Sequence, residues 1–222
     1  MHFEFLIEDQ SGKKALEIII PKMLDKKHTF RIHPYKGVGR IPENLKPKSG
    51  ADKRILLDQL PRLLKGFGKA FSNYPTVIIV VCDLDNNDRH EFQSDLTKVL
   101  DSCNPRPNAH FYFAIEELEA WYLGDISAIL CAYPRAKTTI LTGYENDSIC
   151  GTWELLADAI CSGGHAALSK KGWQAVGKEK SVWAATISPH MNVDDNASPS
   201  FQFLRSRLRS VATQVTLKQE SE

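Results

Sequence analysis

Three apolar segments of this chain each run into carboxylates. Residues 3–7 (FEFLI) are followed by Glu8, residues 77–82 (VIIVVC) by Asp83 and Asp85, and residues 111–115 (FYFAI) by Glu116 and Glu117. Acids distant in sequence repel one another if the fold brings them together, by roughly 4 kcal/mol for two unit charges about 4 Å apart at an effective dielectric of about 20. A divalent cation relieves that repulsion. Mg²⁺ takes oxygen donors, keeps several waters and is held through one or two carboxylates plus substrate phosphate. In Asp83-Leu84-Asp85, alternate residues leaving a strand can point the same way while Leu84 turns inward. Asp88, three positions on, either adds a ligand or opens a helix. For such a pair alone, the plainer reading is a helix-entry or Asx turn. Acids at three strand ends favour a Mg²⁺ (or Mn²⁺) site built from Glu8, Asp83, Asp85 and Asp88. In AIEELEAW, Glu117 shares a helix face with Trp121 and is the candidate to support a second ion, the alternative being a solvated helix face.

The elements that must position these acids follow from hydrophobic periodicity. Strands are expected over residues 3–7, 30–33, 77–81 and 111–115. The run 77–81 is apolar at every position, as a central parallel strand covered on both faces requires. Between them, helices are expected over about 11–24 (capped by Ser11, interrupted by Pro21), 52–70 and 88–101. Strand and helix alternate, which predicts a parallel sheet built from crossover units. In such sheets, ligands bind beyond the carboxyl ends of the strands. From Glu116 onward the chain reads as mainly helical, near 116–123, 126–132, 152–161 and 200–212. The expected organisation is therefore an α/β core over 1–125 and a helical extension over 126–222 packed on it as one compact domain.

Composition narrows the classes. The 222 residues are 42% hydrophobic and 25% charged, which is ordinary for a globular chain. A formal charge of +1 leaves nucleic-acid binding to a local patch. Such a patch is present in sequence. Residues 36–69 hold nine basic side chains against three acids, whereas residues 83–125 hold ten acids against three bases. A basic flank beside an acidic metal centre suits a phosphodiester substrate; the plainer reading is a solvated basic helix face. Candidate phosphate contacts are Lys36, Lys53, Arg54, Lys178, Lys180 and His190, the last being more often a hydrogen-bonder within a loop. Five scattered cysteines without a CxxC pair read as reduced thiols. Without a signal-peptide pattern, or any apolar run near the roughly 20 residues of a spanning helix, the expected location is cytoplasmic. Ser198 or Ser200 reads as a helix cap, and Trp153, Trp173 and Trp183 as core or interface residues.

A DxD after an apolar strand also occurs as the nucleophile motif of haloacid-dehalogenase phosphatases, but there it usually opens the domain and continues with Thr or Val. Here the strand is mid-chain and Asn86-Asn87 follows. The arrangement instead resembles the Toprim fold of topoisomerases, bacterial primases and OLD nucleases. More closely, it is similar to a bacterial Toprim-like family of unknown function. The matching segments are 6–24, 53–71, IVVCDLDNND, AIEELEAWYLGD, GTWELLADAI and ISPHMNVDDNASPSF. The resemblance implies that Glu8 serves as general acid/base while Asp83 and Asp85 hold Mg²⁺. It departs from many Toprim proteins in lacking Gly directly after Glu8. The function it implies is a Mg²⁺-dependent nuclease acting on DNA or RNA, partnered by an ABC-type ATPase in anti-phage defence. The alternative is a non-catalytic Toprim-like module that binds an ATPase or nucleic acid. A homodimer is compatible with either.

Overall fold

The structure, a computed structural model, describes residues 1–45, 54–85, 87–149 and 151–219. Lys53, expected at a phosphate, lies outside the described residues. Four strands, β1 (His2–Ile7), β2 (Thr29–Pro34), β3 (Thr76–Asp83) and β4 (Ala109–Ala114), form one parallel sheet in the order β2-β1-β3-β4. β3 is buried from Thr76 to Cys82, each apolar side chain contributing roughly 1.5–3 kcal/mol.

Alternation along the strands sends two sets of side chains to opposite faces. Phe3, Phe5 and Ile7 join Val77, Ile79 and Val81 on one face. The helix α1 (Gln10–Met23) packs there through Ala15, Leu16, Ile19, Ile20 and Met23. Leu6 joins Ile78, Val80 and Cys82 on the other, covered by α2 (Leu56–Ala70) through Leu56, Leu60 and Leu64 and by α3 (Arg89–Asp101) through Leu96 and Val99. The cap of α1 is Asp9 rather than Ser11: its Oδ1 accepts the Gly12 amide at 2.7 Å, and Ser11 Oγ donates to Oδ2. The helix ends two residues past Pro21.

The remaining helices are α4 (Glu119–Leu123), α5 (Ile126–Ala132), α6 (Thr138–Leu141), α7 (Thr152–Ile160), α8 (Gly164–Ser169), α9 (Trp173–Ile187) and α10 (Pro199–Gln219). Their apolar residues extend the α1 face, and the cluster crosses residue 125 without a break, joining Trp121 and Tyr122 to Ile129, Trp183, Phe201 and Leu204. α9 lies where the sequence pattern predicts no helix, because Gly177 and the charged run Lys178-Glu179-Lys180 interrupt the stripe formed by Val176, Trp183, Ala184 and Ile187. Trp153 and Trp183 are core residues as expected, but Trp173 at the start of α9 is 82% exposed. The SPSF segment does cap: Ser198 Oγ accepts the Phe201 amide at 3.3 Å, and Asp147 reinforces it by accepting from Ser198 Oγ and the Ser200 amide.

Candidate functional site

β2 lies on one side of β1 and β3 on the other, so the chain reverses its direction of winding between these two neighbours. The carboxyl ends of β1 and β3 are thus the topological switch point of the sheet, where the connections diverge and leave a crevice. Ile7 pairs with Val81, which places Glu8 level with Cys82 and one step from Asp83, while Asp83 pairs with Ala114 at the end of β4. The acids predicted to converge do share this rim. The turn after β3 is locked to the turn after β4, Asp85 donating its amide to the Glu116 carbonyl at 3.1 Å. Both residues take left-handed backbone conformations (φ +47° and +62°), each costing a non-glycine residue on the order of 1 kcal/mol.

Burial and crowding raise the pKa values of these groups. Burial, then the charges of Asp85 and Asp9, push Glu8 up to about 7, against the weaker pull of the Asp83 and Val38 backbone amides. Burial and the neighbouring Glu8 and Glu119 carboxylates raise Asp83 well above the usual range; the residue keeps some solvent contact, but its carboxyl is hemmed in by protein. Burial also raises Asp85, with Lys180 opposing. Glu8 Oε2 is buried and has no hydrogen-bond partner among the described residues.

Lys180 is expected from the sequence at a phosphate. Its ammonium instead turns inward, donating to Glu117 Oε1 at 3.0 Å and lying 3.3 Å from Glu119 Oε2, with its side chain 15% exposed. Burial works against the charge, but Glu119, Glu117 and Asp83 outweigh it and hold the lysine above its ordinary pKa. Glu117, the candidate support for a second ion, thus has a protein cation beside it, although burial still pushes it up to about 7. Glu119, 3% exposed, is a member of this cluster that the sequence did not single out. The available signal was Lys180 itself, which falls in register with Val176, Trp183, Ala184 and Ile187 on the inward stripe of α9; a lysine on a buried stripe requires an acid partner.

The other candidates are placed elsewhere. Asp88 caps α3, its Oδ1 accepting the amides of His90 and Glu91, so the helix-opening alternative describes its contacts. Glu116 reaches 35 residues along the chain to accept the Gly151 and Thr152 amides at the start of α7. His190 is exposed in a 3₁₀ turn ten residues beyond Lys180, past the end of α9. Lys178 is exposed on α9. Lys36 and Arg54 are exposed and joined by a backbone bond from the Lys36 amide to the Arg54 carbonyl, while the next amide, Gly37, donates to the Glu8 carbonyl at 3.0 Å. The basic segment therefore borders the acids. Whether the acids fit a metal divides into charge and geometry. The orphaned Glu8 oxygen and the raised carboxyls suit a cation in charge, but among the described residues no group of three or more His, Cys, Asp or Glu side chains is drawn together closely enough to hold one.

Fold and site together define an α/β protein with a buried, internally paired carboxylate cluster at the switch point of a four-stranded parallel sheet. The chain belongs to the DUF4276 family, described as a domain of unknown function, whose pattern matches residues 7–209. No curated protein and no solved structure matches it. No helix among the described residues is long and apolar enough to cross a membrane.

Proposed function

We propose that this chain is a Toprim-like binding module that engages the phosphate backbone of a nucleic acid, in the setting of an ABC-type ATPase partner. The observation that carries the reading is the internal discharge of the acidic rim. Lys180 compensates Glu117 and Glu119, and burial holds Glu8 and Asp83 toward their protonated forms. An acidic rim discharged in this way repels phosphate less. Beside it, Lys36, Arg40, Arg54, Arg62, Lys65 and Lys69 are all exposed, supplying the contacts that position a backbone without reading its bases. The ATPase partner rests on family resemblance.

A second reading, Mg²⁺-dependent phosphodiester hydrolysis, is favoured by Glu8 Oε2, a buried carboxylate oxygen with no partner among the described residues. One experiment separates the two. Fluorescence anisotropy with labelled duplex DNA, single-stranded DNA and transfer RNA is run in EDTA, and the same substrates are then incubated with Mg²⁺ or Mn²⁺ and resolved on gels. The binding module predicts salt-sensitive binding in EDTA that weakens in Lys36→Glu/Arg54→Glu and survives in Asp83→Asn, with no cleavage. Metal-dependent cleavage that disappears in Asp83→Asn establishes the nuclease instead. Absence of binding in EDTA overturns the first reading.

A further inference from the structure

Among the described residues β4 is an edge strand, bonded to β3 on one side. The Ile78 amide donates to the Asn108 carbonyl at 2.8 Å and the Leu84 amide to the Ala114 carbonyl at 2.9 Å. In a parallel ladder these evenly spaced bonds involve alternate residues, so residues 108, 110, 112 and 114 turn their backbone groups toward β3. Ala109, Phe111 and Phe113 turn theirs outward. Among the described residues, no backbone group bonds these three from the open side. An unpaired row of this kind is a template for another strand unless it is shortened, charged or covered.

This edge is the floor of a groove of about 570 Å³ between α3 and α10. The walls are basic. Arg89 and Arg207 both lie over the ring of the exposed Phe203, their guanidinium carbons 5.8 and 5.3 Å from its centre, and neither pairs with a carboxylate among the described residues. Arg106, at one end, is bonded to Asp101 at 3.0 Å. Among the described residues, no Asp or Glu lines the groove. Burial, then the charges of Arg207 and Arg106, hold His110 below its ordinary pKa.

We propose that the free edge of β4 is the docking site for an acidic, extended segment of a partner protein, which adds as a fifth strand with its carboxylates toward Arg89 and Arg207. The chemistry favours a peptide over a nucleic acid. The floor of the groove alternates donors with acceptors, as only another strand does, whereas a phosphate backbone offers acceptors alone. Main-chain pairing would supply affinity and alternate side chains specificity. This surface is separate from the carboxylate rim and does not rest on the function proposed for it.

The test is selection of a random dodecapeptide display library on the full chain, followed by anisotropy titration of the most enriched peptide made synthetically. Enriched sequences are expected to carry Asp or Glu at alternate positions among β-branched or aromatic residues. Arg207→Glu is expected to weaken the peptide roughly tenfold or more. Ala109→Pro removes one outward N–H without touching the β3 ladder and is expected to weaken it roughly fivefold or more, with the urea midpoint as the control for folding. Failure to enrich acidic peptides, unchanged affinity in either folded variant, or displacement of the peptide by a twelve-nucleotide oligothymidylate overturns the proposal, the last in favour of phosphate recognition.

Discussion

Lys180 Nζ lies 3.3 Å from Glu119 Oε2, joining α9 to α4 across 61 residues of sequence inside the crevice where β1 and β3 end. Together with the 3.0 Å bond to Glu117, this contact supplies a fixed positive charge to the cluster and ties the helical half of the chain to the sheet rim. Removing it exposes what the carboxylates cost.

Lys180→Met keeps the length and apolar stem of the side chain but leaves Glu117 and Glu119 buried without their cation. Breaking one partner of a buried pair costs roughly 3–5 kcal/mol at neutral pH. The loss is expected to shrink at pH 5, where Glu117, pushed up to about 7 even beside the lysine, takes up its proton. Urea denaturation at pH 7.5 and pH 5 measures both; equal losses at the two pH values would refute the assignment.

Glu8 and Glu117 each titrate near 7 in the fold, against 4.5 ordinarily. Between those values the native state binds more protons than the unfolded chain, so stability falls as pH rises. Their contribution is complete below about 4.5 and lost as pH climbs through about 7, at most roughly 3 kcal/mol for each carboxyl before solvent screening. Urea midpoints measured from pH 5 to 8 are expected to decline, with a shallower slope in Glu8→Gln. An unchanged slope in Glu8→Gln would show that Glu8 is not part of the titrating cluster.

Two glycines of α2 give opposite expectations. At Gly68 an added Cβ would stand 2.2 Å from the Pro105 carbonyl oxygen, while at Gly66 it would meet nothing within 4 Å. Gly66→Ala is expected to stabilise by roughly 0.5–1 kcal/mol through helix propensity. Gly68→Ala should destabilise by roughly 1–3 kcal/mol because backbone must move. Thermal melts of the two variants decide it, and a stabilised Gly68→Ala would contradict the packing of α2 on the 105–107 segment.

Lys22 holds a second internal joint, donating to the carbonyls of Ser188, Pro189 and Met191 at 2.9, 2.7 and 2.9 Å. Lys22→Met leaves those carbonyls without their charged donor, a loss of about 2 kcal/mol. Hydrogen exchange is expected to speed up in the turn after α9 before it does so in the sheet. Uniform acceleration across the chain would argue against a local role.

Much of the sheet was legible from local pattern. The unbroken apolar run of β3 announces a central strand, and acids directly after strands in a parallel sheet must share one rim, which is why Glu8, Asp83 and Asp85 lie along the same edge. Asp88 was legible only as an ambiguity, since a carboxylate before a helix serves equally as cap or ligand. The contacts of Glu116 and Lys180 are set by distant residues. The partners that explain them, the Gly151 amide and the Glu117 and Glu119 carboxylates, lie 35 to 63 residues away. The register of Lys180 on the buried stripe of α9 calls for an acid partner, but nothing near either residue in sequence says which distant group that partner is.

By itself the sequence determined the strand and helix alternation, the two-faced burial of the sheet and the rim on which the acids fall, because periodicity and strand polarity are local properties of the chain. Tertiary structure alone decided the strand order β2-β1-β3-β4, the bare edge of β4 and the insertion of Lys180 among the carboxylates. Those depend on which surfaces find each other when distant segments close, and there the balance of burial, charge pairing and backbone satisfaction is struck between residues that no sequence window contains.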